Sequence, residues 1–259
     1  MFKIIKKKNL LLQMENLIVY NTGHSKRRIG RNMDGGYVIN ELPGNYDILI
    51  SGGISNDISF EIDLLNTYKG INCLAYDGTT NLKIDEKQLN NNIKIIKKNL
   101  GKENNNNLTN LHEEIKDFNN IFLKLDIEGH EFRIIPTFND EQMNKFKQIV
   151  LELHTPFDIQ KYPDYFKGLS DLKIENLFDL LKKINKTHTL VHLHANNGCL
   201  MASVDKIPLP HVFEVTYIRN DFISKKSKNS IPLPTSLDCK NIVEKKDYLL
   251  DGFPYCCKY

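Results

Sequence analysis

Apolar and polar positions in this chain alternate between two kinds of run. YDILIS (46–51), INCLAYD (71–77), IKIIKKN (93–99), IFLKLD (121–126) and QIVLELH (148–154) are short and apolar or alternating, the mark of buried strands. HTLVHLHA (188–195) and VFEVTYI (212–218) are two more. Between them the period lengthens to that of a helix. Ile58, Ile62 and Leu65 fall on one helical face, and Ile174, Leu177, Phe178, Leu181 and Ile184 form one stripe. LHEEIKDF (111–118) reads as a short helix, EGHEF (128–132) as the opening of another. The Asn-rich stretch 99–110 reads as a loop, and 155–170, with Phe157, Tyr162, Tyr165 and Phe166, as an aromatic-bearing loop.

Strands alternating with helices predict an α/β fold with a mostly parallel sheet, and right-handed crossovers make it doubly wound. The connection between the last two strands contains IPLP and is too short for a crossover helix, so that pair should be antiparallel. Ligands of such sheets bind beyond the carboxyl ends of the strands. The residues to inspect are therefore 51–57, 77–79, 97–101, 126–131, 154–157 and 194–198.

GGISNDISFE (52–61) follows the first strand, where glycines let backbone approach a ligand. It lacks the third glycine of the dinucleotide fingerprint, and Asp57 at the helix mouth would repel a pyrophosphate. A cofactor with an amino group and no phosphate, such as S-adenosylmethionine, fits better. Asp77, ending the second strand, can accept ribose hydroxyls; the bland alternative is a turn residue. In LKLDIEGHE (123–131), Lys124 and Asp126 share one strand face, and Asp126 and Glu128 lie at the carboxyl end. Glu152 and His154 share a face in the same way. With the two strands in register, Lys124 should pair with Glu152 as a structural ion pair, one layer below Asp126 and His154. His188, His192 and His194 suggest zinc, but no cysteine or carboxylate lies at ligand spacing. His194, Asn196 and Asn197 are better placed to bind acceptor hydroxyls.

With 259 residues, 41% hydrophobic and 26% charged, the chain can bury a full core. A net charge of +3 is too mild to imply nucleic acid. Cys73, Cys199, Cys239, Cys256 and Cys257 are odd in number and match no zinc knuckle, so reduced thiols in a reducing, cytoplasmic compartment are expected. No apolar run is long enough for a membrane span.

RIGRNMDGGYVI, ISGGISNDISFE, CLAYDGT, FLKLDIEGHEF, IVLELH and LVHLHANN together resemble the class I S-adenosylmethionine-dependent methyltransferases, and more narrowly the FkbM-type and related methyltransferase-like proteins. The tail segment LPTSLDCKN is similar to the ending of these proteins, although Cys239-Lys240-Asn241 lacks the expected proline. The resemblance implies a Rossmann-like seven-stranded sheet with an antiparallel last strand. It implies cofactor contacts at Gly52, Gly53, Asp57 and Asp77, with DGGY (Asp34, Gly35) packing over the cofactor and Asp126 facing it. It also implies O-methylation, commonly of sugar hydroxyls. A division into a basic helical extension (1–26), a methyltransferase domain (27–223) and a tail packing on it (224–259) follows.

The candidate catalytic residues are Asp126, Glu128, His154 and His194. His154 is the first choice of base because its free pKa lies near neutrality. Asp126 would orient it or, together with His154, hold a divalent ion such as magnesium. A sugar or glycan is the expected partner. An RNA ribose 2′-O-methyltransferase, a non-catalytic binding protein and a nicotinamide-dependent oxidoreductase are the alternatives. The first wants a Lys–Asp–Lys–Glu set, the second an empty glycine loop and the third a third glycine.

Overall fold

A computed structural model describes residues 12–81 and 92–257. The N-terminal part of the expected basic extension, residues 1–11, lies outside the described residues. Seven strands make the central sheet: β1 (Ile48–Gly52), β2 (Asn72–Tyr76), β3 (Ile93–Ile96), β4 (Ile121–Leu125), β5 (Phe146–His154), β6 (His188–Ala195) and β7 (Val212–Arg219). Their spatial order is β3-β2-β1-β4-β5-β7-β6. The pairs among β1 to β5 are parallel, whereas β7 runs antiparallel to both β5 and β6. This is the Rossmann-like, mostly parallel sheet with a reversed last strand that the pattern predicts. A hairpin, Met201–Val204 with Ile207–Pro210, fills the connection before β7.

Each strand feeds two cores because successive side chains point to opposite faces. Ile48, Ile50, Leu123, Leu125 and Leu151 join one cluster. Leu49, Cys73, Phe122 and Val150 join the other. Helix α1 (Ser59–Thr67) buries Phe60, Leu64 and Leu65 against the second cluster. Helices α2 (Glu131–Ile134), α3 (Pro156–Lys161) and α4 (Ile174–Asn185) lie on the first. In α4 the predicted stripe is real: Leu177, Phe178, Leu181 and Ile184 are buried, and Leu180 widens it.

Three local readings differ. Residues 111–118 form turns rather than a helix, with Leu111 at φ 64°. Part of the 155–170 loop is helical, because Pro156 stands in the first turn of α3, where a missing N–H costs nothing. The β4–β5 register, which shifts by one residue between Phe146 and Gln148, sets Lys124 opposite Val150 and not Glu152. Lys124 instead donates to the Gly53 carbonyl at 2.6 Å and stands 3.9 Å from Asp126. The expected Lys124–Glu152 ion pair is therefore not formed.

His188, one of the candidate zinc ligands, is a core residue. Its Nε2 bonds the Phe146 carbonyl at 2.8 Å and its Nδ1 lies 2.8 Å from Thr187 Oγ1, tying β6 to the start of β5. Burial pushes its pKa down to about 4, against an ordinary value of 6.5. The unfolded chain takes up a proton below pH 6.5 that the native state refuses until about pH 4. Stability should therefore fall through that window, by about 3 kcal/mol from this group alone. In urea titrations His188→Gln should lose that part of the acid slope. Parallel wild-type and variant stability curves from pH 7 to 4 would remove His188 from the account.

Candidate functional site

The carboxyl ends of β1, β2 and β4 are stitched together by backbone. Gly53 N donates to the Tyr76 carbonyl at 2.9 Å, and Asp126 N to the Gly52 carbonyl at 3.0 Å. Gly53 has φ +75°, and a Cβ there would stand 1.6 Å from the Asp126 carbonyl oxygen. Only glycine permits this turn. Asp77 then fixes the loop. Its Oδ2 accepts from Ser55 N (2.8 Å), and its Oδ1 accepts from Thr79 N (2.8 Å), Thr79 Oγ1 (2.7 Å) and Thr80 N (2.9 Å). Burial works to raise its pKa, but these bonds outweigh it and hold the carboxylate below its ordinary value. Asp77 thus serves as a turn residue while still lining the cleft.

That cleft encloses about 580 Å³ and runs along the strand ends. Tyr76, Asp77 and Asn99 line one end, Gly53 and Asp126 the middle, and Glu128, Glu152 and Tyr165 the other. A side pocket of about 230 Å³ opens beyond Gly53 and is lined by Arg31, Asp34, Gly35, Asp57 and Lys124. Asp34 and Asp126 face both spaces. Tyr37 donates its hydroxyl to Asp126 Oδ2 at 2.8 Å, so the DGGY turn packs against the end of β4.

Glu128, at φ 56°, and Gly129, at φ 84°, turn the chain sharply after Asp126. Glu131 Oε1 accepts from Ile127 N at 2.8 Å, and burial pushes the Glu131 carboxyl up to about 7. His154 ends β5 inside a ring of carboxylates. Its Nδ1 is 2.9 Å from Asp158 Oδ2, and its Nε2 is 3.1 Å from Glu128 Oε2 and 3.5 Å from Glu152 Oε2. Burial opposes the imidazolium, but these acids together hold its pKa far above the ordinary value. These acids favour the protonated imidazolium, against the expectation of a free base near neutrality. Burial and then the Asp126 charge push Glu152 up to about 8.

The expected acceptor group is also corrected. His194 is 1% exposed and held between Glu214 Oε2 (3.4 Å) and Asp247 Oδ2 (3.2 Å). Burial lowers its pKa, but the two acids raise it to about 10 overall. Asn196 Nδ2 donates to Glu152 Oε1 at 3.1 Å. Asn197 clamps the tail, donating to the Ile242 and Lys245 carbonyls and accepting from Ile242 N. None of the three lines the cleft. His192 Nε2 likewise meets Asp238 of the tail at 2.7 Å. Strand parity places His192 and His194 on one face, but it cannot reveal that the tail covers that face.

Gly52 lies within β1, packed against Leu100 and Leu125, and not on the cleft wall. Asp57 pairs with Arg31 at 2.8 Å and accepts from Ser59 N at 3.0 Å, just before α1. Asp126 and His154 do not form the metal-ready group. Among the described residues, the acids whose oxygens converge are Asp34, Glu152 and Glu214. Sequence reasoning treated Glu152 as structural and passed over Glu214 and Asn241; the alternating glutamates of LELH and VFEV were the available signal.

No family model matches the chain, and no curated protein is significantly similar to it. Similar solved structures include a chain described as a hemolysin from Streptococcus thermophilus (10% identity, TM-score 0.38, covering 77% of this chain). The chain spans 63% of that protein's length. A precorrin-6y C5,15-methyltransferase from Geobacter metallireducens gives 14% identity and TM-score 0.35, over 69% of this chain and 83% of its own. The fibrillarin pre-rRNA processing protein of Methanococcus jannaschii gives 12% and 0.37, over 76% and 83%. Among the described residues, no helix is long and apolar enough to cross a membrane.

Proposed function

We propose that this chain transfers a methyl group from S-adenosylmethionine to a hydroxyl, with a sugar or glycan as the acceptor. The observation that carries the reading is the charge of the cleft. Five acids line it (Asp34, Asp77, Asp126, Glu128 and Glu152, the last pushed by burial toward its neutral form), against Lys167 and His130. Burial, then Arg133, holds His130 below its ordinary value. Such walls repel the pyrophosphate of a dinucleotide and the backbone of RNA, and they suit a cofactor bearing sulfonium and ammonium. The volume is that of a small-molecule site. The Gly53 turn brings backbone to the cleft floor, as close approach of a nucleoside cofactor requires.

In this reading the nucleoside lies at the Tyr76, Asp77 and Asn99 end, and the cofactor's amino group near Asp34 and Asp126. The bound cofactor supplies an already activated methyl group. The protein's part is to position the acceptor oxygen and take its proton. Asp126, oriented by Tyr37 and facing both spaces, is the proton acceptor in place of His154. His154 keeps Glu128 and Glu152 in place. The exposed Tyr165 ring, edge-on to Phe166 at 4.9 Å, offers a face to a sugar. An RNA acceptor is disfavoured by the acidic walls, and a nicotinamide cofactor for the same reason.

Calorimetry with S-adenosylhomocysteine and with NAD tests the cofactor; binding of NAD alone would overturn the reading. A methyl-release assay across nucleotide sugars, free glycans and capped RNA tests the acceptor. Asp77→Ala should weaken S-adenosylhomocysteine by about 1.5–3 kcal/mol if its free oxygen lone pairs hold the ribose. Unchanged affinity would leave Asp77 a turn residue only.

A further inference from the structure

We infer that Asp158 is a positioning residue for the acceptor: it orients His154, and through that ring it fixes the Glu128 and Glu152 carboxylates at the acceptor end of the cleft. The inference rests on the acceptor lying against Tyr165 in the methyl-transfer reading, and it adds a residue that does not itself line the cleft. Asp158 stands in the first turn of α3, where an acid ordinarily reaches back to the backbone N–H at the head of the helix. Here that N–H, of Thr155, donates to the His211 carbonyl at 2.8 Å. The carboxylate is left to face the end of β5, where its Oδ2 lies 2.9 Å from His154 Nδ1.

Asp158 is 4% exposed, and among the described residues its ion-pair partners are imidazoles, not lysine or arginine. A buried carboxylate without a cation is costly. Two rings are near it, and geometry separates them. His211 Nδ1 is 3.7 Å from Asp158 Oδ1 and makes no hydrogen bond; burial, the largest influence, lowers the pKa of that ring. His154 has the 2.9 Å bond and two further acids at its other nitrogen, Glu128 Oε2 at 3.1 Å and Glu152 Oε2 at 3.5 Å. Its Nε2 makes no aligned hydrogen bond to either. Nδ1 is therefore the one ring nitrogen held in a directed bond, and Asp158 decides where Nε2 points.

The two glutamates depend on that ring to different degrees. Glu152 Oε1 also accepts from Asn196 Nδ2 at 3.1 Å, and Glu152 faces Glu214 across the β5–β7 ladder. Glu214 accepts from Asn241 Nδ2 at 2.8 Å, and the same amide donates to Asp34 Oδ1 at 2.9 Å. Glu128 is exposed on the cleft wall, with His154 as its ion-pair partner. Burial and then the Glu128 charge raise the pKa of the Tyr165 hydroxyl, so this carboxylate stands between the imidazole and the aromatic wall. The Phe166 ring packs on His154 with centroids 5.1 Å apart. Both ends of the segment 158–166 thus bear on one imidazole. Glu131 and Cys199 also face its charge, and Asp126 faces Glu152.

The test reads the His154 ring by nitrogen and proton magnetic resonance across a pH titration of the full chain, with His154→Gln identifying its signals. Wild type should show both ring nitrogens protonated at neutral pH and a far-downfield Nδ1 proton, the mark of a charge-assisted bond to a carboxylate. In Asp158→Asn that proton signal should vanish, and the ring should lose its charge at a pH lower by about 1–3 units. A neutral His154 in wild type at neutral pH would overturn the inference even if the variant failed to fold. So would ring signals that Asp158→Asn leaves unchanged. In the methyl-release assay with nucleotide sugars and free glycans, Asp158→Asn should lower kcat/KM for the acceptor at least about tenfold, mostly through KM. S-adenosylhomocysteine affinity should stay within about threefold of wild type. Equal losses in both would make Asp158 a structural residue, and an unchanged kcat/KM would remove its positioning role. The ring signals need no substrate, so failure of this inference and failure of the methyl-transfer reading are told apart.

Discussion

Gly53→Ala should eliminate cofactor binding while the sheet remains folded. The new methyl carbon would have to occupy space 1.6 Å from the Asp126 carbonyl oxygen and 2.6 Å from its carbon. Both atoms are backbone, so no side chain can swing aside. The loop must also leave φ +75° or bear a left-handed alanine, about 1–2 kcal/mol by itself. Either response separates the ends of β1 and β4 at the floor of the cleft. A displacement of an ångström at a positioning site commonly costs about a hundredfold, and at least that loss of S-adenosylhomocysteine affinity is expected. Calorimetry measures it, and far-ultraviolet circular dichroism checks that the fold survives. Affinity within about threefold of wild type, where the penalty is under 1 kcal/mol, would show that the cofactor lies elsewhere.

Asp126→Asn should lower turnover by about 10²–10⁴-fold, the range for loss of a positioned base. The substitution keeps the size of the side chain and an oxygen for the Tyr37 hydroxyl, but removes its ability to take a proton. Affinity for S-adenosylhomocysteine should change far less than turnover, and that split is the informative result. Tyr37→Phe should produce a smaller loss, since it removes the 2.8 Å bond that aims the carboxylate and leaves the carboxylate itself. Retention of most activity by Asp126→Asn would shift the role to Glu128 or Glu152, whose variants would then be tested in the same assay.

The sheet was readable because each strand carries its own signal. ILIS, LAY, IFLKL and VLELH are short and apolar, and the IPLP connection forced one antiparallel pair. The strand-end rule led directly to Asp77, Asp126 and Glu128. What the pattern could not supply was register and cover. The register sets Lys124 beside Val150, two residues short of Glu152, and leaves the glutamate facing Glu214 instead. His154, read as a free imidazole at the strand end, gains a pKa far above its ordinary value because α3 brings Asp158, and the turn after β4 brings Glu128, beside it and Glu152. His194, Asn196 and Asn197 looked open because the residues that bury or bind them, such as Asp247 and Ile242, come from the tail. Long-range pairing of that kind leaves no local periodicity.

The reach of Asn241 has a consequence for how the protein comes to be active. Its bond to Asp34 joins positions 207 apart in the chain. Closing so long a loop brings slow, non-local contact formation, while the neighbouring strands can pair much sooner. The Asn241–Asp34 contact is therefore expected to form late in folding, after the sheet that carries it. The same asymmetry applies in reverse: a local opening of residues 238–247 releases Asp238, Asn241 and Asp247 from β6, β7 and the Asp34 turn without disturbing the β1–β5 ladders. Competence of the site and integrity of the fold are thus separate properties of this chain, and the tail is where they part.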